Sequence, residues 1–260
     1  MKSLSYLAKR YKTDKLGVHN YIPIYESFLK VFKNKKIKLL EIGIGGYDHK
    51  NKGGSSIKMW SDYFSNGKIF GIDIYNKKFL NSKRIKTFCG SQNDIFFLKK
   101  ILKNTGKLDF IIDDGSHINN HVIKTFIHLF PFLKEGGYYF IEDIQTSYML
   151  EFGGDGFYLK NKNTSINFFK EIIDKINHQE IENPFYKKNY FDSNITEIHF
   201  YHNLVVVKKK SNLEKSNIMV NNSRIIESKK YKIKSLFQYV KYLLFYIRSR
   251  IFSFLDLLKI

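Results

Sequence analysis

Two stretches of the chain gather acidic residues where chemistry would need them, IIDDGSH at Ile111 to His117 and YYFIEDI at Tyr138 to Ile144. Each follows an apolar run that reads as a strand, so Asp113 and Asp114 end one strand and Glu142 and Asp143 end the next. Carboxylates collected at one sheet edge repel one another unless a cation or a shared proton compensates. Oxygen donors of this kind suit Mg²⁺, Mn²⁺ or Ca²⁺ rather than zinc. The alternative is that the acids cap the helices that follow, since DDGS also reads as a strand-to-helix turn. His117 comes three residues after Asp114. An imidazole with an ordinary pKa near ~6.5 can take a proton from a hydroxyl at neutral pH, and carboxylate neighbours favour that role over a purely structural histidine.

A second constellation lies earlier. EIGIGGY at Glu41 to Tyr47 places a glycine-rich turn directly after an apolar run, where a nucleotide can approach bare backbone. It fails the dinucleotide fingerprint, because the position of the third glycine after Gly43 and Gly45 holds Asp48, and no lysine stands in the P-loop register. Neither NAD nor ATP phosphate is served. The next acidic strand end, Asp73 in GIDIY, is placed to accept the two hydroxyls of a ribose, and the arrangement suits S-adenosylmethionine, which has no pyrophosphate to cradle. Here too, capping by Glu41 and Asp73 is the plainer alternative.

These residues need a sheet to hold them. Ile37 to Ile42, Lys68 to Ile74, Arg84 to Phe88, Leu108 to Ile112 and Tyr138 to Ile141 are short strand-like runs alternating with helix-like stretches, the rhythm of a parallel sheet covered by helices. Between the last two, Ile118 to Leu133 carries Val122, Phe126, Leu129 and Phe130 at helical spacing, which predicts a right-handed crossover helix. Thr196 to Phe200 and Leu204 to Lys208, separated by Tyr201, His202 and Asn203, predict an antiparallel hairpin closing the sheet. His199 and His202 in this hairpin are open to packing or to substrate contact. The fold class expected is α/β, Rossmann-like, with a mostly parallel seven-stranded sheet, that C-terminal hairpin, and a basic amphipathic C-terminal helix.

Ser211 to Ser228 is polar and reads as a linker. From Lys229, residues Phe237, Val240, Leu244, Ile247, Ile251, Phe254 and Leu258 form an apolar helical stripe, with Lys234, Lys241 and Arg248 recurring on another line. Such a helix packs on its own domain, on a twin subunit in a homo-oligomer, or on anionic lipid. The 44 basic and 24 acidic residues give a net charge of +20, yet only five of the basic residues are arginine. Phosphate and base-edge recognition favours the guanidinium fork, so the lysine bias argues against nucleic acid as partner. A single cysteine, Cys89, excludes an internal disulfide and paired-cysteine zinc sites and points to a reducing compartment. The N-terminal segment has no signal-peptide pattern, and no uncharged apolar run reaches the ~20 residues that cross a bilayer. A cytoplasmic protein is the expectation, either free or peripheral at the inner membrane face.

Taken in order, EIGIGGY, GGSSIKMW, GIDI, GSQNDIFFL, IIDDGSH and IEDIQTSY resemble the sugar O-methyltransferases of macrolide biosynthesis and their relatives that serve bacterial surface polysaccharides. The resemblance runs from about Thr13 to Asn203 and includes TDK at Thr13 to Lys15 and HNY at His19 to Tyr21. It implies a class I methyltransferase fold, Mg²⁺ held by Asp114, Glu142 and Asp143, and His117 as the base. It also implies S-adenosylmethionine surrounded by Glu41, Gly43, Asp73, Ser91, Gln92 and Asp113, with Ser55 near its amino-acid end and Tyr21 closing the pocket. The large domain that precedes TDK in the macrolide enzymes is not expected here, which leaves the acceptor open. The resulting expectation is a methyltransferase domain over 1–210, a linker over 211–228 and a helical tail over 229–260, methylating a hydroxyl of a nucleotide-linked or glycan-bound sugar. An RNA methyltransferase and a non-catalytic scaffold docking on membranes are the rival readings.

Overall fold

The computed structural model describes residues 2–49, 51–181, 183 and 185–216, and beyond them the elements at 219–220, 223–224 and 236–257. In chain order these are α1 (Leu4–Tyr11), α2 (Ile22–Leu29), β1 (Lys38–Ile42), α3 (Ser55–Tyr63), β2 (Lys68–Asp73), β3 (Ile85–Cys89), α4 (Ile95–Thr105), β4 (Leu108–Asp113) and α5 (Asn119–Leu129). Then come β5 (Leu133–Glu142), α6 (Ser165–Ile176), α7 (Tyr190–Asn194), β6 (Ile195–Tyr201), β7 (Leu204–Lys209), β8 (Met219–Val220), β9 (Ser223–Arg224) and α8 (Leu236–Leu257). The chain divides into two compact units, one of 1–176 and 190–212, the other of 177–189 and 213–260.

The first unit is built on a seven-stranded sheet of order β3-β2-β1-β4-β5-β7-β6, parallel through β5 and antiparallel at β7 and β6. Strand alternation sorts its side chains into two cores. Leu39, Phe110, Ile112, Phe140 and Val206 pack on one face with Leu7, Tyr25 and Trp60 from α1, α2 and α3. Leu40, Ile42, Ile111, Tyr139, Ile141, Val205 and Val207 pack on the other with Leu98, Phe126 and Phe169 from α4, α5 and α6. Both faces are covered, which is why the central strands are continuous apolar runs rather than alternating ones. Between β2 and β4 the direction of winding reverses at β1, so the crevice outside the carboxyl ends of β1 and β4 is the topological switch point where open α/β sheets bind ligands.

The crossover helix is shorter than its hydrophobic spacing predicts. α5 stops at Leu129, and Phe130–Phe132 forms a single 3₁₀ turn. Pro131 removes the amide that a continuing α-helix needs, and β5 begins at once at Leu133 instead of Tyr138. In the second unit, β8 and β9 pair antiparallel within the stretch read as a linker, and the ring of Phe185 lies edge-on to Tyr239 of α8 at 5.6 Å. The expected linker residues 217, 218, 221, 222 and 225–228 and the tail residues 229–235 and 258–260 lie outside the described residues. Among the described residues, no helix is long and apolar enough to cross a membrane.

Candidate active site

All the acids singled out in the sequence sit at the carboxyl edge of the sheet, but the pleat sends them to different places. Glu41 and Glu142 share the parity of Leu39 and Phe140 and turn toward α2 and α3, whereas Asp113 shares the parity of Ile111 and turns toward α5. Asp113 is buried, its Oδ1 accepting from Gln92 Nε2 at 3.1 Å, while Gln92 Oε1 accepts from the Ser116 amide at 2.7 Å. Gln92 and Asp113 therefore shape the DDGSH turn from beneath. Burial first of all pushes the Asp113 carboxyl up to about 7, with Gln92 pulling the other way. Burial likewise raises Glu41 to about 7 against the pull of Lys15.

Beyond the strand ends the chain brings Asp114, His117 and Asp143 together, with one potential ligand atom from each lying within 4.8 Å of the others. His117 Nε2 is 3.9 Å from Asp114 Oδ1 and 3.8 Å from Asp143 Oδ2. Both His117, at φ 58°, and Asp143, at φ 53°, hold left-handed backbone conformations, uncommon for residues with a Cβ and concentrated where function imposes strain. Thr146 Oγ1 steadies the turn by donating to the His117 carbonyl at 2.9 Å. Tyr21 Oη lies 2.8 Å from Asp143 Oδ1 and 3.1 Å from the carbonyl of Asn203, so the tip of the β6–β7 hairpin closes on the same point. Burial, then the bond to Asp143, pushes the Tyr21 phenol far up, and it acts as a donor throughout the physiological range.

Glu142, expected beside Asp114 and Asp143, is not brought into this cluster. Its Oε2 accepts from Lys15 Nζ at 2.8 Å and its Oε1 from the Tyr25 hydroxyl. Lys15 also donates to Asp114 Oδ2 at 2.7 Å and stands 3.6 Å from Glu41 Oε1. Burial pushes Glu142 well up and raises Asp114, with Lys15 opposing it in both. Lys15, Tyr25 and His19, whose ring stacks on Tyr21 at 4.8 Å, are site residues that motif reasoning passed over. The one signal for Lys15 was its place in TDK, since a lysine in a lysine-rich chain is otherwise indistinguishable from a surface residue.

The glycine turn is tight. A Cβ on Gly43 would stand 1.9 Å from the carbonyl oxygen of Asp114, and one on Gly53 would stand 2.1 Å from that of Gly45. At Gly45 an added Cβ would meet nothing within 4 Å, so bare backbone faces open space there. Lys77, buried, pins this loop by donating to the carbonyls of Tyr47 at 2.6 Å and Lys52 at 3.1 Å. Asp73 accepts from the amides of Tyr75 and Ile44 at 2.9 and 3.2 Å, which fixes its carboxylate between the turns after β1 and β2. Ser55 opens α3, and exposed Ser91 follows β3. His199 packs on Phe28 at 5.1 Å and lies 3.4 Å from Glu197, whereas His202 is exposed in the hairpin turn.

No family model matches the chain. Mycinamicin VI 2''-O-methyltransferase of Micromonospora griseorubida is 43% identical over 213 residues, 81% of this chain and 53% of the relative. Demethylmacrocin O-methyltransferase of Streptomyces fradiae is 41% identical, covering 81% of this chain and 54% of its own. A tetracenomycin-C 3'-O-methyltransferase of Streptomyces olivaceus, acting on the 2-methoxy-rhamnosyl form, is 38% identical over 81% of this chain and 55% of its own. Among solved structures, the MycE methyltransferase of the mycinamycin biosynthetic pathway in complex with Mg and SAH superposes with a TM-score of 0.80 at 42% identity, over 82% of this chain and 56% of that one. The chain spans about half the length of the relatives it matches. With a Rossmann-like methyltransferase sheet and this level of identity, the chain is similar over most of its length to these macrolide and tetracenomycin O-methyltransferases.

Proposed function

We propose that the chain is an S-adenosylmethionine-dependent, metal-assisted O-methyltransferase acting on a hydroxyl of a sugar. The observation that carries this reading is the convergence of His117 Nε2 on carboxylates from two separate strand ends, 3.9 Å from Asp114 and 3.8 Å from Asp143, at the switch point of the sheet. The donor set fits a divalent ion, because both acids are partly open to solvent and offer hard oxygens. Asp114 and Asp143 would hold it, with Glu142, the third acid assigned to it from sequence, acting from behind through Lys15. The crevice also fits S-adenosylmethionine, since Gly45 presents bare backbone to open space beside Gly43 and Asp73. Asp73 would take the ribose hydroxyls, Ser55 would lie toward the amino-acid end with Tyr21 closing the pocket, and Glu41, Ser91, Gln92 and Asp113 would form the wall.

When bound, the ion supplies charge that makes a hydroxyl easier to ionise, and S-adenosylmethionine supplies the methyl group. His117 removes the hydroxyl proton at Nε2. Tyr21 and Thr146 hold Asp143 and His117 in place, so the base and the acids need no rearrangement when the acceptor arrives. The acceptor is a nucleotide-linked or glycan-bound sugar, with a surface polysaccharide as its destination, and the protein works in the cytoplasm as a homo-oligomer.

Calorimetric titration with S-adenosylhomocysteine tests the reading. The wild type should bind, and Asp73→Asn should weaken binding by roughly tenfold to a hundredfold, the effect of losing an ionised acceptor. No heat from the folded wild type would remove the enzyme class. Mass spectrometry of nucleotide sugars incubated with enzyme and S-adenosylmethionine should then find a gain of one methyl group.

For the tail we propose a separate unit at the inner face of the membrane. On α8, exposed Phe237, Val240, Leu244, Ile247 and Ile251 lie along one stripe with Lys241 and Arg248 beside it, an arrangement suited to anionic headgroups. Deleting residues 229–260 should abolish co-flotation with phosphatidylglycerol vesicles and leave S-adenosylhomocysteine binding unchanged. If light scattering instead shows that deletion halves the mass, the stripe is a subunit seam and the lipid proposal fails.

A further inference from the structure

Lys15 is a fully desolvated ammonium, 1% exposed, set among the ends of three strands. It reaches Asp114 Oδ2 at 2.7 Å, Glu142 Oε2 at 2.8 Å and Glu41 Oε1 at 3.6 Å, carried by β4, β5 and β1 or the turns directly after them. The lysine backbone is itself anchored, its carbonyl accepting from the amides of Tyr21 and Ile22, so the loop from Lys15 to Tyr21 closes on the residues that also fix Asp143. A buried ammonium without partners is costly, and so are the buried carboxyls of Glu41 and Glu142 without a cation. The geometry also has a direction. Lys15 occupies one oxygen of Asp114, which leaves Asp114 Oδ1 as the oxygen facing His117. On Glu142 the remaining oxygen is taken by Tyr25, so both oxygens of that acid are spoken for.

We propose that Lys15 is a positioning residue, the internal counter-cation that joins Asp114 to Glu142 and keeps the acidic centre assembled whether or not a divalent ion is bound. It touches no reacting atom. Its work is to offset part of the negative charge gathered at these strand ends and to select which Asp114 oxygen is presented to the crevice. The part of this that concerns the ion rests on the proposed function above; the charge balance between Lys15 and Glu142 does not.

Thermal unfolding of the full chain in EDTA and in saturating Mg²⁺ tests it, using wild type, Lys15→Met, Glu142→Gln and the double variant. In EDTA the wild type should stay folded and Lys15→Met should melt about 10 °C lower, the scale set by breaking a buried ion pair in a chain of this size. Saturating Mg²⁺ should return at least half of that loss, and so should adding Glu142→Gln without any ion. A lysine that only fills space would respond to neither. Should Lys15→Met be too unstable to purify, the double variant is compared with Glu142→Gln, where the same substitution should lower the melting temperature by less than about 5 °C. Equal losses in both backgrounds, or a Lys15→Met protein that melts with the wild type, would overturn the proposal. Recovery by Glu142→Gln with none by Mg²⁺ would uphold Lys15 as counter-cation and count against the ion in the proposed function.

Discussion

His117→Ala is expected to lower turnover by roughly 100- to 10,000-fold, the range for loss of a positioned general base. The same protein should bind S-adenosylhomocysteine as the wild type does, because the residues proposed for the cofactor stand on other turns. Among the described residues the His117 side chain has no hydrogen-bond partner at normal distance, the carboxylate oxygens of Asp143 and Asp114 being 3.8 and 3.9 Å away, so its removal should leave the fold intact. Activity should rise with pH more steeply in the variant than in the wild type, as hydroxide replaces the imidazole. A wild-type rate in single-turnover assays would move the base elsewhere, and His19, 3.7 Å from Asp143 Oδ1, would be the first to test.

Removal of the ion should be more damaging still. EDTA treatment, or Asp143→Asn, is expected to reduce turnover by about a thousandfold or more, the consequence of losing several kcal/mol of charge stabilisation. Asn suits this position because it tolerates the left-handed backbone that Asp143 adopts at φ 53° and can still receive the Tyr21 hydroxyl. Cofactor affinity should hold within a few-fold, which separates loss of the ion from loss of the crevice. Readdition of Mg²⁺ should restore the EDTA-treated wild type and leave Asp143→Asn inactive. Full activity after exhaustive chelation would require the acids to be reread as caps or as direct ligands of the acceptor.

These two experiments bear on residues that the sequence alone singles out, and the reason is local. A strand followed by a polar turn is visible as an apolar run ending in acids, so the carboxyl edges of β1, β2, β4 and β5 were legible in EIGIGGY, GIDIY, IIDDGSH and YYFIEDI. Helix and strand limits were less so, because Pro131 could be absorbed into an apolar periodicity that ran on to Leu133, yet ends α5 at Leu129.

By itself the sequence determined the class of fold, the edge of the sheet where chemistry gathers, and the membership of Asp114, His117 and Asp143 in one group. It did not determine how the acids divide. Two adjacent carboxylates look alike in a string, but the pleat turns Asp113 toward Gln92 and α5, turns Glu142 toward Tyr25, and leaves Asp114 and Asp143 on the turns beyond. Nor did it reveal Lys15, separated from Asp114 by 99 positions and from Glu142 by 127. One lysine among 39 acquires meaning only where three strand ends meet around it, because the energy of a buried charge depends on what surrounds it in space and not on its neighbours along the chain.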